Sequence, residues 1–221
     1  MRPLPHRAIW TGTIAAAFAV AAQAAAAVSA DRAAPSPCTI SGFLSDPGAK
    51  GIDIRGAPRA DAPVIGRLPP PAPPATGVSE RFGAEFYILG VRDGWLLIRE
   101  ADVEFDGQVK IVFQGPGWIP GDKAGFIIGS QELRAAPAND ARVIAKLQGT
   151  LKNGDVYGPD SFKVLRVHAC RGHFVDLTIV PPRDPGAAGA PLRGWIEKVC
   201  SNQKTTCDPA VADSPGTGGG R

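Results

Sequence analysis

Two histidines and a cysteine lie within six residues of one another, at His168, Cys170 and His173. Imidazole and thiolate are preferred ligands of zinc, so this group has the composition of a zinc site with an open position, as a hydrolase would need. No fourth ligand is evident in the sequence, and a cysteine of an exported chain is usually part of a disulfide. We therefore predict no metal and no cofactor, with a zinc hydrolase as the alternative.

Covalent and acid–base catalysis find no better support. A cysteine nucleophile of an amidase requires a free thiol on a helix, facing a histidine held by a third group. Nothing after the first thirty residues keeps a 3.6-residue apolar period for three turns, and no spacing singles out a pair of carboxylates. We predict that the protein is not an enzyme.

The amino terminus has the pattern of an export signal. Arg2 and Arg7 precede an uncharged apolar run at 8–22, and small residues offer cleavage after residue 24 or residue 30. The run is shorter than the roughly 20 residues that span a bilayer, and no second long apolar stretch follows. We expect residues 1–30 to be a cleaved signal peptide, and the remainder to be periplasmic or secreted without membrane insertion.

The charge of the exported part argues against nucleic acid as a partner. Removal of residues 1–30 takes Arg2 and Arg7 from the 24 basic side chains, which leaves 22 against 21 acidic ones and a net charge of +1. Binding to duplex nucleic acid needs clustered cations that neutralise phosphates. We therefore predict no nucleic-acid binding.

An internal repeat at an offset of 79 positions organises the rest of the chain. Residues 54–68 (IRGAPRADAPVIGRL) and 133–147 (LRAAPANDARVIAKL) agree at about ten identical or similar positions without a gap. Each copy is followed by two short β-rich runs around a Gly-containing turn, at 86–98 and at 162–179, and then by Gly-Trp-Ile at 117–119 and at 194–196. With 27 Gly and 22 Pro, this pattern predicts an all-β fold.

The order of these motifs resembles the bacterial Src-homology-3 (SH3) domain. The shared features are a strand ending in Arg-x-x-Pro, a polar loop, Val-Ile-x-x-Leu, a hairpin with Gly-Trp at its turn, and a final Gly-Trp-Ile-Pro. The resemblance implies two tandem small SH3-like β-barrels at 38–128 and 129–207. Both carry loop insertions, at 69–85, 100–115 and 181–191, and a disordered tail is expected at 208–221.

Carried over by position, the family's ligand groove in the first module consists of Arg55, Asp61, Trp95, Trp118 and Pro120. The second module has Arg134, Asp140 and Trp195 at the matching positions, with His173 in place of Trp95 and Glu197 in place of Pro120. Partly exposed tryptophans suit stacking on sugars or peptides. The alternative is that the tryptophans belong to the core, which is favoured for Trp118 and Trp195 because they lie inside a strand.

The resemblance implies a non-catalytic module that binds a cell-envelope component, either a cell-wall peptide or glycan or an envelope protein. The alternative is a protein inhibitor or assembly factor that acts through its inserted loops. A proline-rich run at 69–74 is interpreted as a stiff loop, with an internal groove ligand as the other possibility.

Four cysteines remain after export, Cys38, Cys170, Cys200 and Cys207, an even number that predicts two disulfides. The residues alone leave three pairings open. The family's geometry implies Cys170 with Cys200 and Cys38 with Cys207, and the local pair Cys200 with Cys207 is the competing arrangement.

Overall fold

Strands dominate the computed structural model, which describes residues 36–45, 50–71, 82–105, 108–182, 190–203 and 207. The described residues contain no α-helix, and no helix there is long and apolar enough to cross a membrane. The all-β prediction is therefore confirmed. The segments predicted as a signal peptide at 1–30 and as a tail at 208–221, and residues 72–74 of the proline-rich run, lie outside the described residues.

Among the described residues of the first half of the chain, there are nine strands and one 3-10 turn. They are β1 (Ser36–Leu44), β2 (Ile52–Arg55), β3 (Val64–Leu68), β4 (Glu85–Arg92), β5 (Trp95–Phe105), β6 (Gln108–Phe113), β7 (Gly117–Pro120), the turn Gly121–Lys123, β8 (Ala124–Gly125) and β9 (Ile127–Ile128).

The part of the second half that the structure describes contains eight strands and a second 3-10 turn. They are β10 (Glu132–Arg134), β11 (Val143–Lys146), β12 (Gly149–Thr150), β13 (Val156–Tyr157), the turn Pro159–Ser161, β14 (Lys163–Arg171), β15 (Phe174–Val180), β16 (Leu192–Ile196) and β17 (Val199–Cys200).

The two halves have the same antiparallel strand order. The larger sheet runs β3-β2-β7-β5-β4-β1-β8, with β6 paired to β5, and the second sheet runs β11-β10-β16-β15-β14. Five consecutive strands of each sheet thus follow one scheme. The segments around Val64 and Val143, which the repeat aligns, form edge strands β3 and β11 at matching places.

Alternating burial explains why these segments are strands. In β5, Leu96 and Ile98 are fully buried, while Trp95 and Leu97, which alternate with them, are only partly buried. Successive side chains of a strand point to opposite faces, so one face of each sheet carries the apolar core. Fully buried Ile54 and Ile119 in the first half, and Leu133 and Leu177 in the second, belong to one continuous apolar cluster.

The sequence prediction places the boundary between the two repeats at residues 128 and 129, but strands of the two halves pair across it. Strand β1 pairs with β4 and β8 and also forms a bridge from Cys38 to Gly172. Strand β17 lies outside the second sheet and pairs with β9 of the first half. All described residues lie in one compact unit, which both crossings hold together.

Several strands differ in extent from the sequence prediction. The insertion at 100–115 contains a regular hairpin, because β5 continues to Phe105 and pairs with β6. The turn of the second repeat lies at Gly172 and His173, since β14 continues as far as Arg171, which pairs with Phe174.

Candidate functional site

Three neighbouring strands of the larger sheet place four of the five predicted groove residues on one face. Arg55 of β2 and Leu97 of β5 are the register partners of Trp118 on β7, and Trp95 of β5 is the partner of Pro120. The residues that alternate with them are fully buried in the core: Ile54, Leu96 and Ile119. Arg55, Trp95, Trp118 and Pro120 therefore lie on the face opposite the core, which we call the outer face.

The fifth predicted residue, Asp61, does not lie on these strands. It lies in the loop between β2 and β3, where its side chain is highly exposed and forms an ion pair of 3.3 Å with Arg59. An exposed ion pair of this kind contributes little to stability. Asp61 is therefore exposed to solvent in a loop, outside the three strands that form the outer face.

The arginine of each repeat anchors its own loop. Arg55 donates from Nη1 to the carbonyl of Ala62 at 2.9 Å and forms an ion pair of 3.1 Å with Asp53. Arg134 repeats this arrangement 79 positions later, with the carbonyl of Ala141 at 2.9 Å and Glu132 at 2.6 Å. This shared geometry explains why both copies contain Arg followed by a polar loop of fixed length.

A tight turn positions Trp95. Asp93 and Gly94 both have positive φ angles, 53° and 80°, as the two-residue turn that joins twisted antiparallel strands requires. The amide of Gly121 donates to the carbonyl of Gly94 at 2.8 Å and holds this turn against the end of β7. Trp95 follows directly and remains partly exposed.

Trp118 is covered. It is only 7% exposed, and the guanidinium of Arg92 lies 5.1 Å from the centre of its ring. A cation over an aromatic face is attracted by the ring's electron density. The aromatic surface that the outer face offers to a ligand is therefore that of Trp95, next to the partly exposed Pro120.

The second repeat does not reproduce this surface. Its register pairs Phe174 with Arg171, as Trp95 is paired with Arg92, so Phe174 and not His173 occupies the position of Trp95. The proposed equivalence of His173 with Trp95 is wrong, because His173 belongs to the turn itself. Phe174 is only 6% exposed.

At the other matched positions of the second repeat, Trp195 has charged residues beside it on both neighbouring strands. Arg134 and Asp176 are the register neighbours of the partly buried Trp195. Asp176 accepts two hydrogen bonds from Arg193, at 2.8 and 3.3 Å. Asp140 is exposed in the loop between β10 and β11, and Glu197 is partly buried just beyond β16.

The disulfides are Cys38–Cys170 and Cys200–Cys207. Two disulfides were predicted, but the pairing implied by the resemblance is wrong. The cause is the path of β1, which exchanges hydrogen bonds with Gly172 and brings the Cα of Cys38 within 5.3 Å of that of Cys170. In the second repeat, the segment after Gly-Trp-Ile forms β17 on β9, away from Cys170.

These contacts remove the basis of the zinc alternative. The sulfur of Cys170 is bonded to that of Cys38, so it is not a free thiolate. His168 Nε2 lies 2.7 Å from Thr178 Oγ1, and burial together with nearby Arg193 lowers the pKa of this histidine. Within the part of the chain that the structure describes, no three His, Cys, Asp or Glu side chains are grouped to hold a metal ion.

A small polar pocket lies where the carboxyl-terminal segment meets the first sheet. Its volume is about 40 Å³, and it is lined by Ser41, Glu85, Phe86, Tyr87, Glu100, Asp102 and Ser201. Burial raises the pKa of Glu85, the hydrogen bonds from Ser201 and Gln203 lower it, and Asp102 raises it further, with a net upward shift. Sequence reasoning missed this pocket because its residues come from distant segments without a shared motif.

Large apolar side chains are exposed on strands β6 and β3. Val109 and Ile111 are 50% and 56% exposed, and Val64 and Ile65 on β3 are 52% and 49% exposed. The last residue of β6 packs on the sheet, since Phe113 lies against Gly66 and Gly117. Four β-branched side chains thus remain at the edge strands of the first sheet.

Comparison with known proteins gave no assignment. No family profile, no curated protein and no solved structure matched the chain.

Proposed function

We propose that this chain is an exported, non-catalytic binding protein made of two SH3-like barrels, which recognises a cell-envelope component through the outer face of the first repeat. The favoured ligand is a cell-wall peptide or glycan, and an envelope protein is the other candidate of this class. One observation supports the proposal above all: Trp95 is partly exposed on the same face as Arg55, Trp118 and Pro120.

The layout of this face suits a ligand with flat or extended surfaces. An indole offers a large apolar plane with a polar edge, and a neighbouring proline extends this plane at little cost in side-chain entropy. The guanidinium of Arg92 covers the ring of Trp118, so this arginine and not the Trp118 ring would meet a ligand bound at Trp95. Since aromatic residues often dominate binding energy, Trp95 is the residue whose loss should matter most.

Two features support export. Two disulfides are consistent with a protein outside the cytoplasm, where thiols are oxidised. The basic start, apolar run and small residues of 1–30 have the pattern of a signal peptide. We place the protein in the periplasm or outside the cell.

Trp95→Ala is expected to weaken binding to purified cell-wall sacculi by about tenfold or more, because an aromatic anchor is removed. The measurement is the fraction of protein that sediments with sacculi across a range of sacculus concentrations. Trp95→Phe should retain most of the binding, since it keeps the apolar plane. An unchanged urea midpoint for both variants shows that the fold is intact.

Equal sedimentation of wild type and Trp95→Ala would remove the outer face as the binding surface. Sacculi stripped of their peptides distinguish the two ligand types. Binding that survives the stripping assigns the glycan, and binding that is lost assigns the peptide.

The exposed hairpin supports a second candidate, a protein inhibitor or assembly factor that contacts its partner through β6. Deletion of residues 101–114 is a poor test, since Ala101 is fully buried and Phe113 packs against the sheet. Val109→Thr with Ile111→Thr keeps the β-branched shape and removes apolar surface. If this candidate is correct, the double variant loses capture of envelope proteins and keeps sacculus binding. Unchanged capture contradicts it.

A further inference from the structure

Strand β14 of the second repeat lies against the turn that carries Trp95. A Cβ atom placed on Gly94, the last residue of this turn, would lie 3.3 Å from Nη2 of Arg166. A Cβ atom placed on Gly121 would lie 3.5 Å from a backbone oxygen of β14. Gly94 directly precedes Trp95 in the chain, and Gly121 directly follows its register partner Pro120. The second repeat therefore borders the aromatic end of the outer face.

Arg166 is the charged group that β14 brings to this turn. Its side chain is exposed, and β14 is an edge strand of the second sheet. The ion pairs formed among the described residues do not involve Arg166. Asp93 and Asp122, the exposed neighbours of Gly94 and Gly121, offset its charge from a distance. Arg166 therefore attracts an anion by direct pairing and not through a broad positive field.

The two arginines at the outer face itself are engaged within the protein. Arg55 forms an ion pair with Asp53 and anchors its own loop. The guanidinium of Arg92 lies over the ring of Trp118. Arg166 differs from both, because its guanidinium is exposed and has no carboxylate partner among the described residues. It is open to a carboxylate of a ligand.

We propose that the ligand of the outer face is a cell-wall peptide with a free carboxylate, which Arg166 of the second repeat binds while the peptide packs on Trp95. This inference rests on the proposed function and narrows its ligand to an acidic peptide. A guanidinium presents paired N–H donors that match the two oxygens of a carboxylate, and a neutral glycan has no such group. Because the indole and the guanidinium come from different repeats, the binding site is complete only in the chain with both repeats.

Strand β1 fixes Arg166 relative to the turn. The disulfide Cys38–Cys170 joins β1 to β14, four positions after Arg166. The same end of β1 pairs with the end of β4, where Ser36 is the partner of Val91. The turn at the end of β4 and the strand that carries Arg166 are thus held by one element. A site whose parts are already in place loses less entropy when a ligand binds.

Sacculi whose carboxyl groups are converted to amides test this inference. Treatment with carbodiimide and ammonium chloride removes the negative charges and leaves the glycan and the peptide backbone in place. The wild-type protein should bind amidated sacculi about tenfold more weakly than mock-treated ones, because a charge-assisted pair is lost. The measurement is the fraction of protein that sediments across a range of sacculus concentrations. Equal binding to both preparations overturns the inference.

Arg166→Gln makes the matching change in the protein. It should bind mock-treated sacculi about tenfold more weakly than wild type and lose nothing further on amidation, since the partner of the carboxylate is already absent. Arg142→Gln is the control, because Arg142 is an exposed arginine in the loop between β10 and β11, and it should respond to amidation as wild type does. A tenfold loss on amidation that persists in Arg166→Gln contradicts the role of this arginine.

Trp95→Ala separates this inference from the proposed function. If Trp95→Ala loses binding while wild type is indifferent to amidation, the outer face binds sacculi and only the role of Arg166 fails. If neither Trp95→Ala nor amidation changes sedimentation, both proposals fail. The exposed position of Arg166 predicts an unchanged urea midpoint for Arg166→Gln. The amidation arm uses the unaltered protein, so it decides the question independently of any variant's folding.

Discussion

Replacing Cys38 and Cys170 together by alanine is expected to lower the free energy of unfolding by about 5 kcal/mol. This disulfide joins residues 132 positions apart, so it removes many conformations from the unfolded chain. It also fixes β1 to the turn between β14 and β15, where the amide of Thr39 donates to the carbonyl of Gly172 and the amide of Gly172 donates to the carbonyl of Pro37. Urea unfolding monitored by tryptophan fluorescence measures the loss, with midpoint and slope fitted together because the unfolded chain without the cross-link is more expanded.

The second disulfide provides a matched comparison. Cys200 and Cys207 are only 7 positions apart, and the same chain-entropy argument predicts a loss of about 2.5 kcal/mol when both become alanine. All four cysteines are buried, so the packing cost of the substitution is similar for the two pairs. Equal losses, or a larger loss for the Cys200 and Cys207 variant, would show that loop length does not govern the effect.

Most of the fold could be predicted from local sequence patterns, namely the internal repeat and the alternation of apolar residues. The 79-residue offset aligned segments that form β2 with β3 and β10 with β11, and it also aligned the two loop-anchoring arginines. These features depend on short-range alternation and on loops of fixed length, which a sequence displays directly. The grouping of Arg55, Trp95, Trp118 and Pro120 was carried over by position from the resemblance, and strand alternation accounts for their common face now that the strand register is known.

Long-range pairing was the part that the sequence did not reveal. The disulfide prediction assumed that the segment after Gly-Trp-Ile forms the same turn in both repeats, but Gly121–Lys123 is a 3-10 turn and Val199–Cys200 is a strand on β9. The hydrogen bonds between β1 and Gly172, and the hydrogen bond from Ser201 to Glu85, join segments more than a hundred residues apart. No local composition encodes such contacts.

Substituting Gly117 by alanine is expected to destabilise the protein by about 3 kcal/mol, the upper end of the usual cost of overpacking a core. A Cβ atom at this position would lie 2.3 Å from Cγ2 of Ile54 and 3.0 Å from Cζ of Phe113. Ile54 is fully buried in the close-packed core, so a shift of its side chain would have to displace other core atoms. The glycine of the Gly-Trp-Ile motif is therefore required by the close approach of β7 to β2, and urea unfolding measures the cost.

Gly115 is the matched control, two positions earlier in the loop between β6 and β7. It is exposed, and a Cβ atom there would meet nothing within 4 Å, so alanine should be neutral or add up to about 1 kcal/mol by restricting the unfolded chain. The same reasoning extends to Gly194, where a Cβ atom would lie 2.8 Å from the backbone oxygen of Arg134. If Gly117→Ala and Gly115→Ala unfolded at the same urea concentration, packing against Ile54 would not explain the motif. A shared loss for Gly117→Ala and Gly194→Ala, absent from Gly115→Ala, would establish that both repeats need a side-chain-free residue at this crossing of strands.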